Sequence, residues 1–400
     1  MNILHIIPSI NPKLGGPAEG IRNYESGLKE FDHIHRTIIC FDDPEEATTW
    51  ITGKLKVIGL GKVSNNLQYH RKLKGWLREF VRDYDVVIIN GLWLYHSYAT
   101  MSVINEIKLK GMKVPKVFLF PHGMLDPWFQ KVKHRRLKAF RNILYWHLIE
   151  KNVVNSVDGL LFTCQEELEL ARSTFKGYHP KSEINVGYGV AAPPTYNNRM
   201  KLAFLDHYPV IKNKLYFLFL SRIHPKKGVD LLLKAYLKLR ESTKTNFISD
   251  IPDLVIAGPG MDSKYGREIL KLISKNTELI NHVHVLGMLT GDSKWGALNG
   301  CEGFILPSHQ ENFGIAVVEA LACKKPVLIS NQVNIWKEIN VCKSGLIEDD
   351  TVEGTYKLLS TFMLLSAIER DKMQKQALYT FNIFFNIKEA AKKFIDVISM

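Results

Sequence analysis

Short apolar runs alternate with stretches of helical spacing along almost the whole chain. Runs such as Val86-Val87-Ile88-Ile89 carry no polar residue on either face, the pattern of strands buried on both sides in a parallel sheet. In the first half the pattern predicts strands at 2–7, 36–41, 55–58, 85–89, 117–120 and 159–163, separated by helices that include 17–30, 68–83, 96–110 and 135–154. A second series follows, with strands at 215–220, 254–258, 283–286, 303–307 and 326–330 and helices that include 229–241 and 314–323. Strand and helix in alternation indicate βαβ units, and hence parallel sheets covered by helices.

The alternation lapses around Val190-Ala191-Ala192-Pro193-Pro194-Thr195, a small-residue, proline-bearing stretch that reads as a domain boundary. The expected organisation is an α/β chain of two doubly wound, Rossmann-like domains, 1–195 and 196–380, facing each other across a central cleft. Residues 381–400 close the chain with helical spacing over 387–398 and are expected to pack back on the first domain. A length of 400 residues exceeds one ordinary core and fits two of ~200 residues each.

Composition narrows the function. At 46% hydrophobic and 23% charged the chain is of ordinary globular type. No apolar run approaches the ~18 residues that span a bilayer. Met1-Asn2-Ile3-Leu4-His5-Ile6-Ile7-Pro8 lacks a basic leader and a small-residue cleavage site, so it reads as a first strand and a cytoplasmic location is expected. Cys40, Cys164, Cys301, Cys323 and Cys342 are scattered, form no C-x-x-C pair and read as core thiols; no metal site is expected. The net charge of +13 points to an anionic partner, with nucleic acid, a membrane surface and a phosphorylated substrate all compatible. No nucleic-acid module signature is present and the bases are not gathered into one tail, so nucleic acid is set aside.

The densest chemistry lies at Glu311-Asn312-Phe313-Gly314-Ile315-Ala316-Val317-Val318-Glu319. The apolar run before it places Glu311 at the C-terminal mouth of a parallel strand. A helix beginning near Gly314 then points its N–H groups into that mouth. Glu319, about a turn and a half into the helix, can face the same crevice. One acid beside an anion site and a second beyond it suit a ligand with a phosphate centre flanked by hydroxyls, such as a nucleotide-sugar. Ser221–Gly228 is the loop after strand 215–220, and Asp230 stands at the start of the next helix. Arg222 and Lys227 on that loop are two cations that would neutralise a diphosphate, more strongly as it departs; a solvated basic turn is the plain alternative.

The first half offers weaker signals. Gly15-Gly16 lies at a strand–helix turn and permits close approach of backbone N–H groups, but the stretch is not G-x-G-x-x-G, which argues against a dinucleotide site. His122 follows the strand ending at Phe120 and is placed toward the cleft, with a satisfied structural histidine as the alternative. Asp83-Tyr84-Asp85 is formally a metal–diphosphate pattern, yet it closes a basic helix and opens a strand, so both acids read as turn residues. His282-Val283-His284 reads as strand. The run Lys131-Val132-Lys133-His134-Arg135-Arg136-Leu137-Lys138 leads into a helix carrying Phe140, Leu144, Tyr145, Trp146 and Ile149. It is either a basic amphipathic surface that meets anionic lipid or a solvated helix whose aromatic face is core.

Taken together, these residues resemble the retaining glycosyltransferases of the GT-B fold, family 4 (glycosyl transferases group 1), of the bacterial surface-polysaccharide type. The resemblance runs along essentially the whole chain, and the Arg…Lys loop and the E-x7-E helix are its specific part. It implies that Arg222 and Lys227 bind the donor diphosphate and that Glu319 holds the ribose. Glu311, with the backbone of Asn312, Phe313, Gly314 and Ile315, would hold the transferred sugar and its phosphates. His122 would lie beside the sugar, Gly15 and Gly16 would line the cleft, and Gly287 and Met288 would meet the base by main chain. The chain departs from the family at Asn312, at Lys324-Lys325 before the Pro-Val strand, at Gly187-Tyr188-Gly189-Val190, and at Gln332-Val333-Asn334-Ile335-Trp336. The implied reaction moves a hexose from a nucleoside diphosphate with retained configuration and no divalent metal. UDP-glucose is the expected co-substrate, no cofactor is needed, and the acceptor is a lipid-linked sugar or polysaccharide at an anionic membrane surface. A nucleotide-sugar epimerase of similar fold and a non-catalytic basic binding protein are the alternatives.

Overall fold

The computed structural model describes residues 1–12, 16–28, 31–50, 55–132, 135–243 and 251–399. The chain divides into two compact units, Met1–Ala191 with Ile387–Met400, and Ala192–Asn386.

The first unit is built on seven strands: β1 (Asn2–Ile6), β2 (His35–Cys40), β3 (Lys56–Gly59), β4 (Val86–Asn90), β5 (Lys116–Phe120), β6 (Gly159–Phe162) and β7 (Glu183–Asn185). They pair in parallel in the order β3-β2-β1-β4-β5-β6-β7. Every residue of β4 is buried, as its unbroken apolar run requires of a central parallel strand. Strand β7 has no counterpart in the apolar pattern: its three residues are only half-buried at the sheet edge, so no apolar run announces it. The helix expected over 68–83 is shorter, Leu73–Phe80 followed by a 3-10 turn at Val81–Asp83, and Gln68 at φ 49° lies outside the right-handed helical region. Asp85 accepts a 2.7 Å hydrogen bond from the Asn2 amide at the N-terminal edge of the sheet, as a turn residue does.

The expected third segment begins later than 381. Phe381–Phe385 stays with the second unit, where Phe385 packs edge-on against Phe313, and only the helix Ile387–Ser399 joins the first unit. There Ala391, Phe394 and Ile398 bury themselves with Ile3, Tyr24, Ile88 and Phe118.

The second unit carries β8 (Tyr216–Leu220), β9 (Asp253–Ala257), β10 (Val283–Leu286), β11 (Gly303–Leu306), β12 (Val327–Ser330) and β13 (Gly345–Glu348). All are parallel, in the order β10-β9-β8-β11-β12-β13. Strand β13 is a half-buried edge strand, unannounced for the same reason as β7. His282 and His284 are structural: both bond to Asp253, at 2.8 and 2.7 Å, and Lys214 joins them at 2.8 Å. Burial works against the Asp253 charge, but the bonds from His284, Lys214 and His282 hold its carboxyl below the usual range. All five thiols are free, and four of them are buried.

Burial shifts four groups of the first unit that bear on stability in mild acid. Burial, aided by Arg36 and His122, lowers His5 to about 3, and burial alone lowers His122 to about 3. His96 falls to about 4, again through burial. Glu150, in a π-helical turn at Trp146–Glu150, accepts bonds from the Trp93 amide and the Ser97 hydroxyl, yet burial pushes it up to about 7. In the unfolded chain histidine titrates near 6.5, so between about pH 5 and 6 unfolding takes up protons at three histidines and releases one from Glu150. The unfolded state then binds about two more protons, and stability should fall by roughly 3 kcal/mol per pH unit as pH drops through that window. Denaturant midpoints measured between neutrality and pH ~5 check this; midpoints that stay flat would show that these histidines titrate normally.

Candidate functional site

In a sheet of order 3-2-1-4 the crossovers after the two central strands leave in opposite directions and open a crevice at their C-terminal ends. In the second unit those strands are β8 and β11. The loop after β8 carries Arg222 and Lys227, and the loop after β11 carries Glu311.

Local structure fixes both loops. His224 caps a 3-10 turn at Pro225–Lys227 by accepting from the Lys226 amide, and Gly228 ends it at φ 68°. A Cβ on Gly228 would stand 2.1 Å from the Pro307 carbonyl oxygen, so the two loops touch backbone to backbone. The Lys226 carbonyl also accepts from the His309 amide at 2.8 Å and the Ser308 hydroxyl at 2.9 Å. Glu311 is gripped from its other side, its amide donating to the Gln332 carbonyl and its carbonyl accepting from the Asn334 amide, each at 2.9 Å. The segment Gln332–Asn334 thus holds Glu311 by its backbone, in a parallel bridge centred on Val333.

Lys227 Nζ pairs with Glu311 Oε2. The lysine side chain is 8% exposed and the glutamate 21%, so this pair is shielded as surface pairs are not. Burial opposes the Glu311 charge, but Lys227, then Lys226 and Arg222, hold the carboxyl below its ordinary value. Arg222 is exposed at the mouth. Gly314, at φ 80°, is the N-cap of the helix Ile315–Ala322, and no side chain caps it. Its first N–H groups therefore add positive potential beside Lys227 and Arg222. Asn312 accepts from Asn334 Nδ2 at 3.5 Å, and Phe313 is buried.

One helical turn after Ile315, Glu319 pairs with Lys294 of the helix Gly291–Gly300 at 2.7 Å. Gly287 and Met288 follow β10 at the same C-terminal edge, with Met288 largely exposed and the Gly287 carbonyl accepting from the Gly258 amide. The structure therefore brings Arg222, Lys227, Glu311 and the Gly314–Ile315 helix start together, with Glu319 further along and Gly287 and Met288 two strands away. Among the described residues no group of three His, Cys, Asp or Glu could hold a metal ion.

His122 and Gly16 belong to the first unit, and Gly15 lies outside the described residues. Gly16 opens the helix Gly16–Gly27, and its carbonyl accepts from the Tyr188 hydroxyl. His122 has φ 52° and stacks on Phe120. Its Nε2 meets Asn90 Oδ1 at 3.1 Å, while Asn90 Nδ2 donates to the Ile88 carbonyl. The Asn90 oxygen therefore faces the ring, Nε2 carries the proton, and Nδ1 is left as an acceptor. The turn is clamped by Glu167, which accepts from the Gly123 amide at 2.5 Å and from the Thr163 amide at 2.8 Å. Neither Asn90 nor Glu167 stands out by motif, although a polar residue closing the apolar run 86–89 is a detectable signal.

The model of the family Glycosyl transferases group 1 matches residues 205–378, which include the whole second-unit site. An uncharacterized glycosyltransferase of Methanocaldococcus jannaschii is 26% identical over 44% of this chain and 43% of its own length. A D-inositol 3-phosphate glycosyltransferase of Stackebrandtia nassauensis is 23% identical over 50% of this chain and 44% of its own. The chain thus spans less than half the length of these curated relatives. The solved structure of Anabaena HepE in complex with UDP-glucose superposes with a TM-score of 0.74 at 15% identity, over 100% of this chain and 99% of that one. These matches support a glycosyltransferase family, and the fold is GT-B.

The contact between loops at Gly228 has a measurable consequence. Gly228→Ala forces a left-handed non-glycine residue and a backbone clash, and should destabilise the protein by at least about 2 kcal/mol. Gly75→Ala, in the helix Leu73–Phe80 where an added Cβ meets nothing within 4 Å, should instead stabilise by roughly 0.5–1 kcal/mol. Melting curves of the two variants decide; equal stabilities would mean the β8 and β11 loops are not in contact.

Proposed function

We propose that this chain is a retaining glycosyltransferase that moves a hexose, with UDP-glucose as the favoured donor, to a hydroxyl of a lipid-linked or polysaccharide acceptor in envelope polysaccharide synthesis. The observation that carries the reading is the set of three positive features at one crevice: Lys227, Arg222 and the uncapped helix start at Gly314, with Glu311 held ionised among them. A diphosphate satisfies that potential, and a carboxylate beside it can accept hydrogen bonds from sugar hydroxyls. The match to the group 1 family covers the same residues and supports the assignment.

In this mechanism the bond from the sugar C1 to the β-phosphate oxygen breaks while the acceptor oxygen bonds to C1 on the same face. The acceptor proton passes to the departing phosphate. Lys227, Arg222 and the helix N–H groups stabilise the charge that grows on the leaving diphosphate, which is the role a metal ion plays elsewhere. Glu319 takes the ribose hydroxyls, Gly287 and Met288 meet the base by main chain, and Ile315 and Asn312 border the phosphates. His122, neutral with Nδ1 as acceptor, takes a sugar hydroxyl; Gly16, with Gly15, lines the acceptor side. Glu311 already serves Lys227 as counter-ion, which favours a binding role for it over a nucleophilic one. The enzyme works in the cytoplasm, at its membrane face.

Lys227→Ala removes the buried cation, and kcat should fall by about 3–4 kcal/mol of barrier while the fold survives. Near-normal transfer from UDP-glucose by a well-folded Lys227→Ala protein would sink the assignment. Turnover should also persist in excess EDTA. Loss on chelation that Mg²⁺ or Mn²⁺ restores would return Asp83 and Asp85 to consideration as metal ligands.

A further inference from the structure

The helix Arg136–Tyr145 continues through the π-helical turn Trp146–Glu150. Ala139, Asn142 and Trp146 are buried and tie it to the first unit. On the opposite side Leu137 is 88% exposed, Phe140 62%, Leu144 48% and Leu148 74%. Their spacing of three and four residues makes one continuous apolar stripe along the helix. A helix that merely met water would carry polar residues there. Leu109, 90% exposed, lines a groove with Leu148 and extends the patch.

Along its own element the stripe is bordered by basic charge, and Glu106, which lines the groove at Leu109, is paired with Arg78 and Lys110. From Pro127 to Val157 the only acid is Glu150, and it is buried. Lys131, Arg136, Lys138 and Arg141 are exposed. An exposed apolar row of this size marks a docking surface. A second copy of the chain is a poor occupant, because a two-fold contact would set these bases against one another. An anionic bilayer satisfies both features: the stripe enters the acyl boundary and the bases meet the headgroups.

We propose that the helix Arg136–Tyr145 and the turn after it lie in the plane of an anionic membrane, with Leu137, Phe140, Leu144 and Leu148 inserted below the headgroups. No helix among the described residues is long and apolar enough to cross a membrane, so this is surface attachment by an embedded helix face. The attachment has two separable parts, one apolar and salt-resistant, one electrostatic and salt-sensitive. It uses none of the residues of the donor crevice.

Flotation with vesicles of phosphatidylcholine and phosphatidylglycerol in equal amounts, against phosphatidylcholine alone, tests it on the full chain. The protein should float with the anionic vesicles and only weakly with the neutral ones. Phe140→Ser and Leu144→Ser should each lower vesicle affinity about tenfold at low and at high salt. Lys138→Gln with Arg141→Gln should lower it about fivefold per charge at low salt and little at high salt. Leu364→Ser, an exposed leucine of the second unit, is the control and should change nothing. Circular dichroism and UDP-glucose calorimetry check that each variant is folded and separate this surface from the donor reading. Absence of flotation with anionic vesicles, full affinity in Phe140→Ser, or self-association that Phe140→Ser abolishes would each overturn the proposal, the last in favour of a second copy.

Discussion

Every strand of both sheets runs parallel to its neighbours, and the arrangement of functional groups follows from that constraint. A parallel strand can be followed only by a crossover, so the loops that leave the strands all emerge at one edge. In the second unit that edge holds Arg222, Lys227, Glu311, Gly287 and Met288. The opposite edge of each sheet collects residues that hold it: Asp85 ties β1 to β4 in the first unit, and Asp253 gathers two histidines and a lysine in the second. Similar residue types thus do different work according to which end of a strand they occupy.

Charge is handled differently in the two units. The second keeps an ionised pair, Lys227 with Glu311, and surrounds it with Arg222 and a helix terminus, so an excess of positive potential stands ready for an anion. Such a pair costs desolvation and adds little stability in itself; what it supplies is a lysine and a carboxylate already in position. At the strand mouth of the first unit the presented group is neutral, although Arg36 and Glu25 form a shielded ion pair elsewhere in that unit. His122 is kept uncharged by burial and locked into one tautomer by Asn90, and Glu167 fixes the turn that presents it. That combination suits the recognition of hydroxyls, which need oriented donors and acceptors and not net charge.

The central strands and the crevice were legible because both depend on short-range pattern: an unbroken apolar run marks a buried strand, and the polar residues just after it must lie at its mouth. Strands β7 and β13, three and four half-buried residues at sheet edges, were not, although β3, equally short and without a buried residue at another edge, was expected at 55–58. Partners distant in sequence were equally hidden. Nothing near Glu319 points to Lys294, and nothing near Glu311 points to the backbone of Gln332 and Asn334. For the helix beyond Arg135 the residues left the course of the aromatic face open, and it divides: Trp146 goes inward while Phe140 and Leu144 go outward. Lys324 adopts φ 59° at the helix end, a left-handed conformation more usual for glycine.

The helix Ile387–Ser399 makes the first unit discontinuous, with the whole of Ala192–Asn386 inserted between its two parts. Order of synthesis then differs from order of completion. The second unit is a single contiguous stretch and can close as soon as it is made, whereas the first must wait with the surface around Tyr24 and Phe118 uncovered until the last helix arrives. Tyr24 finds its aromatic neighbour Phe394 4.9 Å away across an interval that contains the entire other unit. The unit begun first is therefore the one finished last, and a chain cut short before Ile387 would have its charged crevice built while its opening sheet still lacked its cover.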